Sequence, residues 1–161
     1  MCMFMIRFIR VMIIIEYVRN HTEKIIYFLY EHVRNKIYRK PRTYRKLARK
    51  NYLKVAKKRR PFLNERRKSL KQQLQYIRRN ISHIKQLVKI GATLFQLSDR
   101  QYKILLVVSE VYRQQLWLYE NKKKSIDDRI VSLHQPHVRP IVRGKAGKTD
   151  LVWGKIISQL L

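Results

Sequence analysis

The most distinctive stretch of the chain runs from Arg129 to Lys148 and reads RIVSLHQPHVRPIVRGKAGK. It contains Pro136 and Pro140, whose rings exclude a helix. The isoleucines and valines around them favour extended structure. The order of residues therefore predicts a strand, a turn fixed by proline and a second strand, with arginine and lysine side chains set along both.

Two patterns near this stretch contain metal-ligand residue types. His134 and His137 form an H-x-x-H pair, but an extended backbone directs them apart and no third ligand is near in sequence. Two-metal phosphoryl chemistry needs several carboxylates that converge on ions about 3.5–4 Å apart. Asp127, Asp128 and Asp150 are the only acids after Glu120, and the adjacent pair supplies at most one ligand. No metal site is predicted.

A third pattern, GKAGKT at Gly144–Thr149, invites comparison with a phosphate-binding loop. That motif needs a glycine at position 142, where this chain has Val142. Cys2 lies in an apolar segment, which disfavours a reactive thiolate, and no Ser-His-Asp order is visible. No catalytic residue is therefore predicted.

The composition indicates a polyanionic partner. The chain has 161 residues, with 38 Lys and Arg against 10 Asp and Glu, and a net charge of +28. Such an excess repels itself in a compact state, so we expect nucleic acid as the partner, ahead of an anionic membrane surface. The single cysteine excludes an internal disulfide and favours a cytoplasmic location.

The positive charge is concentrated between Arg39 and Arg60, which contains twelve Lys and Arg and no acid. Thr43 is predicted to cap a helix here, and Pro61 to end it. Like charges four residues apart weaken an isolated helix. Phosphates along its outer face would remove that penalty.

Apolar spacing predicts the other helices. Thr22–Lys36 has one apolar face, formed by Ile25, Ile26, Leu29 and Val33. Two further helices carry heptad seams, and the short connector Gly91–Leu97 makes them an antiparallel hairpin. Ser98 and Gln101 match a capping box at the start of the second. The predicted seams are Leu70, Leu74, Ile77, Ile81, Ile84 and Val88, and Tyr102, Leu105, Ser109, Tyr112, Leu116 and Tyr119.

The first fifteen residues, Met1–Ile15, are apolar but too short to span a bilayer, and Arg7 and Arg10 interrupt them. We interpret them as the start of a buried helix or as a segment covered by a partner. An amphipathic segment at a membrane surface is a third, weaker alternative.

Three segments together resemble bacterial insertion-sequence transposases of the fourth/fifth insertion-sequence type. They are Lys40–Arg45 (KPRTYR), Gln73–Asn80 (QLQYIRRN), and Asp128–Ser132 with Gln135–Ala146 (DRIVS and QPHVRPIVRGKA). The resemblance extends over roughly residues 22–148. It implies a DDE transposase with an RNase H-like core, which cleaves and joins DNA with two divalent ions on three carboxylates.

This chain departs from the family at both ends. The family's first carboxylate lies on a strand before the region that matches His21–Arg45, and here Met1–Tyr17 has only Glu16. The other two carboxylates follow the region of Gly144 and Lys145. Leu151–Lys155 echoes the family's Glu-Phe-Gly-Ala-Lys pattern without its acid. The expectation is a truncated transposase without catalysis of its own and without a cofactor, magnesium being expected only in a complete member.

The resemblance gives the expected architecture. We expect a mainly α protein, with basic helices and a long antiparallel helical hairpin, followed by a short strand-turn-strand remnant of an RNase H-like core. The expected regions are an apolar N-terminal segment at 1–20, a basic helical region at 21–124 and a truncated β portion at 125–161.

The expected partner is DNA at transposon ends, together with a second copy of the chain or the missing transposase parts. No membrane or small-molecule partner is expected. Lysine and arginine would contact the phosphate backbone rather than read bases. The predicted DNA-binding residues are Arg39, Lys40, Arg42, Arg45, Lys46, Arg49, Lys50, Lys57, Lys58, Arg78, Arg79, Arg129, Arg139, Arg143 and Lys145.

The alternative is a free-standing basic helical protein that binds RNA or DNA, similar to a small ribosomal component. The ten tyrosines could stack on bases in such a protein. Most of them fall on apolar faces, however, so core packing is the expected role.

Overall fold

The computed structural model describes residues 3–123 and 125–138. They form four α-helices: α1 (Met3–Val33), α2 (Arg45–Ala56), α3 (Leu63–Ile90) and α4 (Asp99–Glu120). Short 3-10 turns lie at Arg34–Lys36 and Leu94–Gln96. The mainly α class is confirmed.

Helix α1 is a single helix of 31 residues, and it passes through the expected boundary at residues 20 and 21. Its predicted apolar face is confirmed, because Ile25, Ile26, Leu29 and Val33 are all buried. Ile15 from the apolar N-terminal segment is buried as well, as expected for the start of a buried helix. Within residues 3–123 and 125–138, no helix is long and apolar enough to cross a membrane.

Helices α1 and α3 run parallel. The Asn80 amide donates a hydrogen bond to Thr22 Oγ1 at 2.9 Å, and the Arg66 guanidinium lies over the Phe8 ring at 5.8 Å. Both pairs join residues 58 positions apart. A constant separation along the two helices means that their chain directions are parallel. Two clusters of apolar side chains fill the space that α1 and α3 share with α4.

Helix α4 runs antiparallel to α3, as the predicted hairpin requires. Arg67, near the start of α3, lies over the ring of Tyr119, near the end of α4, at 5.0 Å. Ile84 and Leu87, near the end of α3, pack in one cluster with Leu105. The capping box is also confirmed, since Ser98 Oγ accepts a hydrogen bond from the backbone N–H of Gln101 at 3.3 Å.

The partner predicted for the α3 seam is incomplete, because α3 contacts α4 but packs chiefly against α1. Helix α4 contacts both α1 and α3. Its buried residues therefore differ from those expected if α4 packed against α3 alone. Within the predicted seams, Tyr102, Ser109 and Val88 are exposed. The buried stripe of α4 is instead Ile104, Val108, Val111, Gln114, Gln115 and Leu118.

Residues 125–138 form no strand in the part of the chain that the structure describes. The Gln114 side chain donates to the Asp128 carbonyl at 3.3 Å and accepts from the Ile130 amide at 2.9 Å. The Asp128 carbonyl and the Ile130 amide, which could pair with a neighbouring strand, are therefore hydrogen-bonded to a side chain of α4. Ile130 and Leu133 enter the apolar cluster of α1, α3 and α4. The rest of the predicted strand-turn-strand, from residue 139, lies outside the described residues.

The predicted N-cap of α2 is wrong. Helix α2 begins at Arg45, its N-cap is Tyr44, and no side chain caps it. Thr43 is buried, and its hydroxyl forms a 3.0 Å hydrogen bond with that of Tyr27 in α1. The Thr43 hydroxyl, which the local sequence predicts as the helix cap, therefore forms a tertiary hydrogen bond with Tyr27 instead.

A buried ionic cluster occupies the middle of α1. The Arg19 side chain is fully buried, donates from Nε to Glu16 at 3.0 Å, and also pairs with Glu23. Burial acts to lower the pKa of Arg19, but the hydrogen bonds and charges of the two carboxylates outweigh it and leave that pKa raised. Burial raises the pKa of Glu23, against the lowering effect of Arg19 and Arg45.

We predict that Arg19→Met destabilises the protein by about 3–5 kcal/mol, because it leaves two buried carboxylates without their cation. Urea denaturation measures this change. Lys24→Met, which removes an exposed cation from the same helix, is the control and should change stability by less than about 0.5 kcal/mol. Equal stabilities of the two variants would contradict a structural role for the cluster.

Residues 125–138 are also attached to α1 through an aromatic cluster. The His21 ring lies 4.3 Å from that of Tyr17 and 6.2 Å from that of His134, between ring centres. The Tyr17 hydroxyl hydrogen-bonds with His134 Nε2. Burial lowers the pKa of His21, and electrostatic interactions with Lys24, His134 and Arg100 lower it further.

We predict that His21 makes the protein less stable at acidic pH. The ordinary pKa is 6.5 and the folded pKa is lower, so between these values the unfolded chain binds more protons than the folded one. The free energy of unfolding must then fall as the pH is lowered below about 6.5. The difference in melting temperature between pH 7.5 and pH 5 should be smaller in His21→Phe than in the parent. His32→Phe, at an exposed position of α1, should leave that difference unchanged.

Candidate nucleic-acid interface

The largest concentration of positive charge lies on the loop 37–44, on α2 and on the residues that follow it. We call the exposed lysines and arginines between residues 39 and 60 the basic surface. The predicted contacts in this range are all exposed: Arg39, Lys40, Arg42, Arg45, Lys46, Arg49, Lys50, Lys57 and Lys58. Lys54, Arg59 and Arg60 are exposed too and extend the surface beyond the predicted set.

Contacts with α3 fix which face of α2 turns outwards. The fully buried Gln73 donates from its amide to the carbonyl of Ala48 at 2.9 Å. The Asn51 amide donates to the Tyr76 hydroxyl at 3.2 Å. Since Ala48 and Val55 are the buried residues of α2, its charged positions are left in solvent.

As an isolated helix, α2 would be electrostatically unfavourable. It has no acid in its first turn, where the helix dipole favours negative charge. Arg45 and Arg49 stand four residues apart, as do Lys46 and Lys50, and such like-charge pairs destabilise a helix. The helix therefore depends on its contacts with α1 and α3, and a bound anion would relieve the repulsion.

Few of these cations are neutralised by the protein itself. Arg45 lies 3.8 Å from Glu23, and Lys58 lies 2.5 Å from Glu65. Within residues 3–123 and 125–138, Lys46, Arg49, Lys50 and Lys57 have no carboxylate within salt-bridge distance. Their charge is available to phosphate groups.

The loop 37–44 is attached to α1 mainly by Tyr27. The Lys40 ammonium lies 4.4 Å from the centre of the Tyr27 ring and 5.4 Å from that of Tyr30. The Tyr27 hydroxyl also bonds to Thr43. The loop therefore has a defined position beside α2.

The two predicted arginines of α3 lie apart. Arg79 faces α2, and its guanidinium carbon is 4.5 Å from the ring centre of Tyr44 and 5.6 Å from that of Tyr76. Arg78 is exposed, and its charge acts on Tyr112 of α4. The structure thus brings Arg79, but not Arg78, to the basic surface.

The remaining predicted contacts belong to the C-terminal part. Arg129 is half-buried in the segment that packs against α4. Arg139, Arg143 and Lys145 lie outside the described residues. Among the residues that can be placed, no three His, Cys, Asp or Glu side chains come together as a metal site would need.

Sequence reasoning missed two tyrosines of this region. Tyr38 is 96% exposed and Tyr44 is 46% exposed, so the expectation of core packing is wrong for Tyr38 and incomplete for Tyr44. The available signal for Tyr38 was its position beside Arg39 and Lys40, outside the predicted helices. Tyr44 fell on the predicted apolar face of α2, so no sequence signal indicated its exposure.

Comparisons with known proteins give no relative. No protein-family model, no curated protein and no solved structure matches this chain. The transposase resemblance therefore stays a prediction, and the interface is argued from its charge and geometry.

Proposed function

We propose that this protein binds DNA through the basic surface of loop 37–44 and α2. The observation that carries the proposal is the run of twelve lysines and arginines without an acid, all exposed and held on one loop, one helix and the turn that follows it. Neutralising phosphates releases condensed counterions, which drives binding to nucleic acid.

The basic surface suits contacts with the phosphate backbone. Helix α2 has 12 residues and is about 18 Å long, which is short enough to lie against one groove of a duplex. Arginine can donate two parallel hydrogen bonds to one phosphate, whereas lysine acts as a point charge. Affinity with little dependence on sequence is the expected result.

Within this proposal, the chain acts as the DNA-binding part of a transposase-like protein in the cytoplasm. Two of the segments that carry the resemblance lie against each other, since the Arg79 guanidinium carbon is 4.5 Å from the centre of the Tyr44 ring. The RNase H-like remnant in 125–161 and a second copy or further transposase parts as partners belong to the same proposal. Cleavage and magnesium are expected only of a complete family member.

We predict steep salt dependence that originates in α2. Six to ten phosphate contacts would cost about 10³–10⁵ in affinity between 50 and 200 mM salt. Arg49→Gln with Lys50→Gln should reduce the slope of log K against log salt by about 2, one for each lost contact. Fluorescence anisotropy with a blunt DNA duplex measures both quantities.

The matched control removes the same charge elsewhere. Lys103→Gln with Lys123→Gln changes two exposed lysines on and after α4, outside the basic surface, and should alter the slope by less than half as much. Binding that is insensitive to salt, or an equal loss in both double variants, would contradict the proposed surface.

Competition distinguishes DNA from the RNA alternative. The exposed Tyr38 is compatible with either nucleic acid, because aromatic side chains stack on unpaired bases of RNA and of DNA. We expect an unlabelled DNA duplex to displace the labelled duplex at lower concentration than a structured RNA with the same number of phosphates. Stronger displacement by the RNA would replace the DNA proposal with a free-standing RNA-binding protein.

A further inference from the structure

The loop 37–44 has two exposed tyrosine rings, and packing in the protein core does not account for their exposure. Tyr38 is almost completely in solvent, between Ile37 and Arg39. The neighbouring tyrosines of the region behave differently, since Tyr76 is buried and Tyr27 is half-buried against the loop. Core packing therefore explains Tyr27 and Tyr76 but not Tyr38.

Tyr44 is held in an unusual backbone conformation. Its φ of 55° and ψ of 30° are left-handed, a region that bulky residues rarely adopt. The Arg79 guanidinium lies over its ring at 4.5 Å, and the Tyr44 carbonyl accepts the amide of Ala48 at 2.9 Å as α2 begins. The ring is thus fixed by its neighbours, while 46% of the residue stays exposed. Such conformations concentrate at functional sites.

We propose that loop 37–44 binds unpaired nucleotides of DNA beside the duplex, with the rings of Tyr38 and Tyr44 stacking on their bases. This inference rests on the proposed DNA binding of the basic surface. Arg39 and Arg42, both exposed in the same loop, contact the phosphates of the unpaired strand.

The ligand class follows from which surfaces of a base are accessible. In a duplex the base faces are stacked on one another and only the edges are open in the grooves. Apart from the two end pairs, a duplex offers no free base face, so a tyrosine ring gains stacking from a base that has left the duplex. The Arg79 guanidinium lies over one face of the Tyr44 ring, so a base would stack on the opposite face. The charge of Arg79 also attracts the negative phosphate that accompanies the base.

The proposal is tested with two DNA ligands: a blunt duplex and the same duplex with an overhang of about five unpaired nucleotides. The parent protein should bind the overhang ligand more tightly. Tyr38→Ala with Tyr44→Asn should reduce that preference by roughly fivefold to a hundredfold for each stacked base. Affinity for the blunt duplex should change less than about twofold. Asparagine tolerates the left-handed backbone of position 44, so the circular dichroism of the helices should be unchanged.

Two controls separate stacking from other effects. Tyr38→Phe with Tyr44→Phe keeps both rings and should keep the preference. Phe95→Ala removes a fully exposed ring from the connector between α3 and α4 and should have no effect. A parent without preference for the overhang, or a Tyr38→Ala/Tyr44→Asn variant that retains it, overturns the proposal.

The outcome also separates this inference from the proposed function. Salt-dependent binding of the blunt duplex without an overhang preference rejects the stacking loop and leaves the basic surface in place. Absence of salt-dependent binding to either ligand rejects the DNA-binding function itself.

Discussion

The buried guanidinium of Arg19 is the constraint on which the rest of the structure depends. A buried cation needs carboxylate partners, and α1 supplies Glu16 and Glu23 one turn to either side. Glu23 also lies 3.8 Å from Arg45, the first residue of α2. In a chain with only 10 acids, placing two of them inside leaves the exterior still more positive. The arrangement that stabilises the bundle therefore also increases the charge of its surface.

Helix α2 shows how tertiary contacts can override local preference. Its sequence lacks a side-chain cap and an acidic first turn, and its like charges repel one another. Gln73 and Asn51 nevertheless join it to α3 through hydrogen bonds. Local rules are most often broken at functional sites, where another gain offsets the cost. In α2 the broken rules leave exposed cations with few carboxylates nearby.

Periodicity predicted the buried face of α1 correctly, but it misplaced the buried face of α4 and missed the main neighbour of α3. The predicted buried face of α1, at Ile25, Ile26, Leu29 and Val33, is confirmed. A heptad pattern does not state which helix covers it, so α3 was paired with α4 although α1 is its main neighbour. At the candidate site, charge and turns predicted the exposed cations of α2. Arg78 and Arg79 could not be separated without knowing how α3 is turned, because adjacent helical residues point about 100° apart. The hydrogen bond between Thr43 and Tyr27 likewise could not be predicted from the local sequence, because it joins residues 16 positions apart.

The same charges must act in opposite ways on folding and on binding. In the free protein, repulsion within α2 and across a chain of net charge +28 opposes the compact state. Added salt screens that repulsion and favours the fold, yet it also weakens attraction to a polyanion. A polyanion on the basic surface relieves the repulsion locally and stabilises the folded state by mass action. In the proposed function, folding and polyanion binding are therefore linked through α2, the helix whose own sequence favours helix formation least.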